Sequence, residues 1–130
     1  MSAAPLTTRL PEWLDQEVRE YFRSNGIGVS AGMKQITEEW WIMRNMPSIE
    51  IRDGVTGPRA ALINGPDIWQ IIMVKEDYGD DLKGLSEHFG GLPMEDIERA
   101  LAFYKLFPEQ IDAKLRENER AMKHLLRAYG

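Results

Sequence analysis

The sequence predicts a mainly α-helical protein with short β elements. Three observations lead there. Apolar residues recur at spacings of three and four along most of the chain, the period of a helix face. Proline stands where such stripes begin, at Pro11, Pro93 and Pro108, a position where its missing N–H costs nothing. Apolar and polar residues alternate one by one only in short stretches, at 6–10 and 48–52, as half-buried strands do.

Leu6-Thr7-Thr8-Arg9-Leu10 reads as a short strand, with Leu6, Thr8 and Leu10 on one face and Thr7 and Arg9 on the other. Pro11 then fits the first position of a helix, and Glu12 and Asp15 complement the positive end of its dipole. Leu14, Val18 and Tyr21/Phe22 form its apolar stripe. Ser24-Asn25-Gly26 stops it, Gly26 being suited to a left-handed cap. Ser30 is the expected N-cap of a second helix from Ala31 to Asn45, with Met33, Ile36, Trp40 and Met43 along one face and Trp41 displaced from it. Pro47 closes this region.

Ser48–Arg52, turn residues 53–58 and a return strand Arg59–Ile63 predict a β-hairpin. Asn64-Gly65-Pro66-Asp67 signals a helix start, and Ile68, Trp69, Ile71, Ile72 and Met73 give a broad apolar face. After Tyr78-Gly79, Asp80 or Asp81 caps a short helix carrying Leu82, Leu85 and Phe89. Gly90-Gly91 turns the chain into a helix begun by Pro93, with Met94, Ile97, Leu101 and Tyr104 on its inner side. Hairpin and three helices together read as a helix-turn-helix-like block with the hairpin in the place of a wing.

The last helix starts at Pro108 and runs to about Tyr129, roughly 33 Å at a rise of about 1.5 Å per residue. Ile111, Leu115, Asn118, Met122, Leu125 and Tyr129 make a coiled-coil-like seam along it. Surface pairs such as Asp112–Arg116 and Glu119–Lys123 contribute only about 0.2–0.5 kcal/mol each. So long a helix therefore needs an apolar contact, whether a partner, a second copy or the chain's own core, and because it follows a finished block a partner or a second copy is expected. The organisation predicted is 1–47, 48–107 and 108–130.

Composition narrows the function. The 130 residues can bury one compact domain or two very small ones. The absence of cysteine excludes disulfides and thiolate metal sites. No run approaches a membrane span and no signal-peptide core precedes Leu10, so a soluble cytoplasmic protein is expected. The net charge of −5 excludes a protein that grips nucleic acid with its whole surface, though not one with a local basic face. Residues 67–98 hold nine acids and two lysines, a local −7 that suits either a basic partner or a solvated face. The two histidines lack metal-ligand spacing, and the pairs Asp80-Asp81 and Glu95-Asp96 sit at helix starts, where capping explains them. No phosphate loop, nucleophile elbow, zinc or dinucleotide motif is present, so neither enzyme activity nor a cofactor is expected. The four tryptophans lie at or beside helical stripes, where core or dimer interface is the ordinary use.

The stretch TTRLPEWLDQEVREYFRSNGIGVSAGMKQITEEWW resembles a ribbon-helix-helix module. The resemblance implies a dimer in which one strand from each chain pairs antiparallel, with Leu6, Thr8, Leu10, Leu14 and Val18 at the interface. It also implies operator contact by Thr7 and Arg9 in the major groove and by the backbone N–H groups of Val29, Ser30 and Ala31 on phosphate. Pro5, Thr8, Gly28 and Gly32 depart from that pattern. The stretch IEIRDGVTGPRAALINGPDIWQII through LSEHFGGLPMEDIERALAFYKLFPEQID is similar to the small helix-turn-helix family labelled DUF433, which is associated with VapB-like antitoxins. Together the resemblances imply an antitoxin that binds a PIN-like ribonuclease toxin, through Ile111, Leu115, Met122, Leu125 and Tyr129, and represses its own operon. Two other readings stay open: a stand-alone dimeric transcription regulator, and an oligomerisation module that has lost DNA binding.

Overall fold

The computed structural model describes residues 3–54 and 57–129. Its elements are α1 (Glu12–Ser24), α2 (Val29–Asn45), β1 (Ile49–Arg52), β2 (Arg59–Leu62), α3 (Ile68–Tyr78), α4 (Leu82–His88), α5 (Met94–Leu106) and α6 (Pro108–Tyr129). The chain separates into two compact units, Met1–Trp40 and Trp41–Gly130, with α2 divided between them.

In the first unit, residues 3–11 carry no regular secondary structure, where alternation led to a strand over 6–10. A strand exists only when a second one takes up its N–H and C=O groups, and the described residues of this unit contain no other. Helix α1 begins one residue later than expected. Pro11 is its cap, extended at φ −51° and ψ 144°, and its carbonyl accepts the Asp15 N–H at 2.9 Å. The C-terminal closure is as anticipated: Gly26 takes φ +66° and the Ile27 N–H returns to the Phe22 carbonyl at 2.9 Å. Helix α2 starts at Val29, so Ser30 lies inside the first turn and is not the cap. Gly28 holds that place, its carbonyl accepting the Gly32 N–H at 2.8 Å; glycine there costs only a few tenths of a kcal/mol against a capping side chain.

Phe22 is the one buried apolar side chain among the described residues of this unit, and its ring lies on Gly32. A Cβ at position 32 would fall 2.4–2.6 Å from three ring atoms. This explains why a helix interior tolerates glycine here. Gly32→Ala is expected to cost about 1–3 kcal/mol, as overpacking does, whereas a Cβ at Gly28 meets nothing within 4 Å. Thermal melts of the two alanine variants, read by helical circular dichroism, check the contrast.

The second unit holds the core. The hairpin pairs antiparallel with Ile49 opposite Leu62, Glu50 opposite Ala61, Ile51 opposite Ala60 and Arg52 opposite Arg59. Behind it, Ile68, Ile71 and Ile72 of α3 pack with Leu85 of α4 and with Ile97, Ala100 and Phe103 of α5. Ile111 of α6 closes the cluster, joined by Ile42 of α2 and by Met46, which directly follows that helix. The predicted stripe of α2 is therefore displaced: Trp40 and Met43 are exposed, and Ile42 is the buried residue of its final turns. Trp41, expected off the stripe, meets the ring of Phe107 edge-on at 6.1 Å.

Local signals fixed most helix ends. Asp81, not Asp80, caps α4, its carboxylate accepting the Gly84 N–H at 3.0 Å. Gly90 and Gly91 turn the chain at φ +84° and +92°, conformations that a Cβ disfavours. The Ser86 hydroxyl and carbonyl hold the far side of that turn through Leu92 and Gly91. Pro93 caps α5 in extended conformation, and the helix proper starts at Met94.

Helices α5 and α6 are tied by the Tyr104 hydroxyl, which donates to Asp112 at 2.7 Å. That bond, with burial and the Asp112 charge behind it, raises the Tyr104 phenol above its ordinary 10.0. A phenol with a raised folded-state pKa stabilises the fold fully below the unfolded value and loses that contribution as pH climbs through the folded one. The tie is thus intact at neutral pH and fails only in alkali. Tyrosinate absorbance should show one late-titrating tyrosine, and Tyr104→Phe should abolish it while costing about 0.5–1.5 kcal/mol at neutral pH.

Candidate functional site

Two surfaces stand out because they are apolar and unfinished. The first lies on the N-terminal unit. Leu6 is 98% exposed, Trp13 and Tyr21 of α1 and Val29 and Met33 of α2 are exposed, and Leu10, Leu14 and Val18 are half-buried. Of the four tryptophans none is fully buried: Trp69 is half-buried and packs against the core, whereas Trp13, Trp40 and Trp41 are exposed. About 40 residues closing on one phenylalanine is less core than a free-standing unit needs; domains of that size ordinarily require oligomerisation or cross-links.

The residues expected to meet DNA are all on the outside of this unit. Thr7 and Arg9 are exposed beside Leu6. Val29, Ser30 and Ala31 are the first three residues of α2, so their N–H groups have no intrahelical acceptor, and all three are exposed. Arg9 is the sole basic residue of 3–11.

The second surface is the far half of α6. The predicted seam divides in two. Ile111 is buried and Leu115 packs against the same core, so these two belong to the chain's own interior and are taken from any partner. Asn118 marks the edge, its side-chain nitrogen 3.5 Å from the Met73 sulfur of α3. Beyond it every residue from 121 to 129 is exposed, including Met122, Leu125, Leu126 and Tyr129, the last at 86%. The cause is length. Helix α3 has 11 residues and α6 has 22, so α6 outruns the element it lies on. Of the i, i+4 pairs expected there, Asp112 instead takes the Tyr104 hydroxyl.

Between the two halves of α6 and the start of α3 lies an open groove of about 460 Å³ lined by Arg59, Asp67, Trp69, Lys114, Glu117, Asn118 and Ala121. Its floor is built on Asp67, which is only 7% exposed. The Asp67 carboxylate accepts from Arg59 Nε at 2.6 Å, from the Trp69 indole at 3.1 Å and from Arg52 at 3.5 Å, while its own N–H donates to Gln70 at 3.0 Å. Arg52 is steadied in turn by Glu50 at 2.7 Å and by the Leu62 carbonyl at 2.9 Å. Sequence reasoning counted Asp67 among a run of surface acids and missed this hub. Antiparallel register puts Arg52 directly opposite Arg59, and two facing guanidiniums call for a carboxylate between them.

The acidity of 67–98 is partly spent in the same way. Asp81 caps α4, and Glu95 and Asp96 face Arg99, whose guanidinium also donates to Ser48. Glu76, Asp77, Asp80, Glu87 and Glu98 are exposed. Helix α5 begins Met94-Glu95-Asp96, and an acidic first turn repels phosphate. Among the described residues no three His, Asp or Glu side chains gather as a metal set, and no helix is long and apolar enough to cross a membrane. A scan against protein-family models and searches of curated proteins and of solved structures find no match to the chain.

Proposed function

We propose that the chain is a dimeric DNA-binding regulator of antitoxin type. Its N-terminal unit forms the dimer and meets operator DNA, and the far half of α6 holds a PIN-like ribonuclease toxin. One observation carries the reading: a finished core between Trp41 and Leu115 is flanked at each end by an apolar surface with no core of its own. Such a chain is an adaptor, and its two ends are separate enough in sequence to serve two partners. The dimer interface consists of Leu6, Thr8, Leu10, Leu14 and Val18; Thr7, Arg9 and the start of α2 face the DNA. The toxin surface reduces to Met122, Leu125 and Tyr129 with Leu126.

Coexpression of the chain with the product of the neighbouring gene, followed by copurification and gel retardation on the upstream DNA, tests this. A stoichiometric complex that retards that DNA is expected. Absence of both the complex and the retardation, at low salt, would refute it. The lone Arg9 favours one further reading, an oligomerisation module without DNA binding; normal dimer mass with no retardation identifies it. A dimer that retards DNA but has no protein partner is a stand-alone regulator.

A further inference from the structure

We infer that the free dimer covers its two overhanging α6 ends with each other, residues 118–129 of the two copies pairing antiparallel. This rests on the proposed N-terminal dimer and adds a second joint to it. Past the core, the α6 seam runs Asn118, Met122, Leu125, Tyr129, at steps of four, three and four. That series reads the same from either end. An antiparallel copy therefore meets it layer for layer, with Met122 against Leu125 of the second copy and Asn118 against Tyr129 of the second copy. At about 100° per residue, Ala121 and Ala128 flank the seam on one side, and Glu119 and Leu126 on the other. The two alanines let the helix axes come close. Arg120, Lys123 and Arg127 fall on the back of the helix and are exposed, so the joint buries no cation.

Direction follows from charge and from the cleft. The acids of α6, Glu109, Asp112, Glu117 and Glu119, all precede Arg120, and no acid follows it up to Tyr129. Parallel pairing gathers the acids of both copies at one end and the cations at the other. Antiparallel pairing sets Glu117 and Glu119 beside the last turn of the second copy, which carries Arg127. The same register brings Tyr129 of the second copy level with Asn118, at the mouth of the open cleft walled by Trp69, Asn118 and Ala121. The cleft receives that ring, and Arg59, Lys114 and Glu117 on its rim offer the hydroxyl a partner. The overlap is roughly 18 Å long at a rise of about 1.5 Å per residue, and it falls short of the roughly 1,200–2,000 Å² of a stable interface. It therefore forms only between chains already joined at their N-terminal units, where the second contact is made within one assembly. Met122, Leu125 and Tyr129 are also the proposed toxin surface, so the α6 pair and a toxin exclude each other.

The chain has no cysteine, so disulfide cross-linking of N118C/Y129C and of each single variant tests this. The melting temperature serves as the folding control, and sedimentation of the reduced proteins reports the dimer. The two positions lie too far apart along one helix to bridge within a chain. After oxidation, most of the double variant is expected to run as a covalent dimer on a denaturing gel and both single variants as single chains. Saturation with the purified product of the neighbouring gene is expected to suppress the cross-link. A double variant that is dimeric when reduced but does not cross-link overturns the inference and leaves the N-terminal dimer standing. Single variants that cross-link to themselves overturn the antiparallel register. A cross-link untouched by a bound toxin overturns the exclusion. A chain that is single at every concentration overturns both the α6 pair and the dimer on which it rests.

Discussion

Asp67→Ala is expected to lower the unfolding free energy by about 3 kcal/mol, the low end for stranding one side of a buried ion pair. The low end applies because Arg52 and Arg59 keep 29% and 31% side-chain exposure and can recover some hydration, whereas Asp67 keeps 10%. The loss has several parts at once. Two facing guanidiniums lose the carboxylate that separates them, the Trp69 indole loses its acceptor, and the link from hairpin to α3 is cut. Asp67→Asn keeps an acceptor of the same shape without the charge and should fall between. Urea titration followed by tryptophan fluorescence measures both. A change below about 0.5 kcal/mol for the alanine variant, the ordinary size for a surface site, would show that the hub does not organise this unit.

Replacing Leu125 and Tyr129 together with alanine is expected to leave stability within the range of surface substitutions, about ±0.5 kcal/mol, and to weaken the proposed protein complex by about 100-fold or more. Interface anchors of this size cost about 2 kcal/mol or more each when truncated. Ile111→Ala should do the reverse. It empties a buried position shared with α3 and α5 and should cost about 2–5 kcal/mol of stability. Paired melting and binding measurements on the two variants separate the half of α6 that builds the fold from the half that faces outward. Equal loss of stability in both would contradict the division at Asn118.

Most of the second unit was legible before its coordinates. The hairpin strands, the caps near Asp67 and Asp81, the glycine turn at 90–91 and the extent of α6 all follow from local rules, because each depends on residues within four or five places of one another. What escaped was set by neighbours distant in sequence. The pairing of Asp67 with Arg52 spans 15 positions and exists only once the hairpin register is fixed. The division of the α6 seam depends on where α3 begins, which the periodicity of α6 does not record. Trp40 and Met43 drew the predicted stripe of α2 toward themselves by size, while the buried positions went to Ile42 and Met46. In the first unit the alternation at 6–10 pointed to a strand for which a single chain provides no mate.

That missing mate is the centre of the account. Sedimentation of the full chain without DNA, over a range of concentrations, measures it most directly. The predicted result is a species of twice the 15.0 kDa chain mass, converted to single chains by Leu10→Asp, which would place a charge on the inner face of the proposed ribbon. A species of 15.0 kDa at every concentration, or a dimer unaffected by Leu10→Asp, would contradict it.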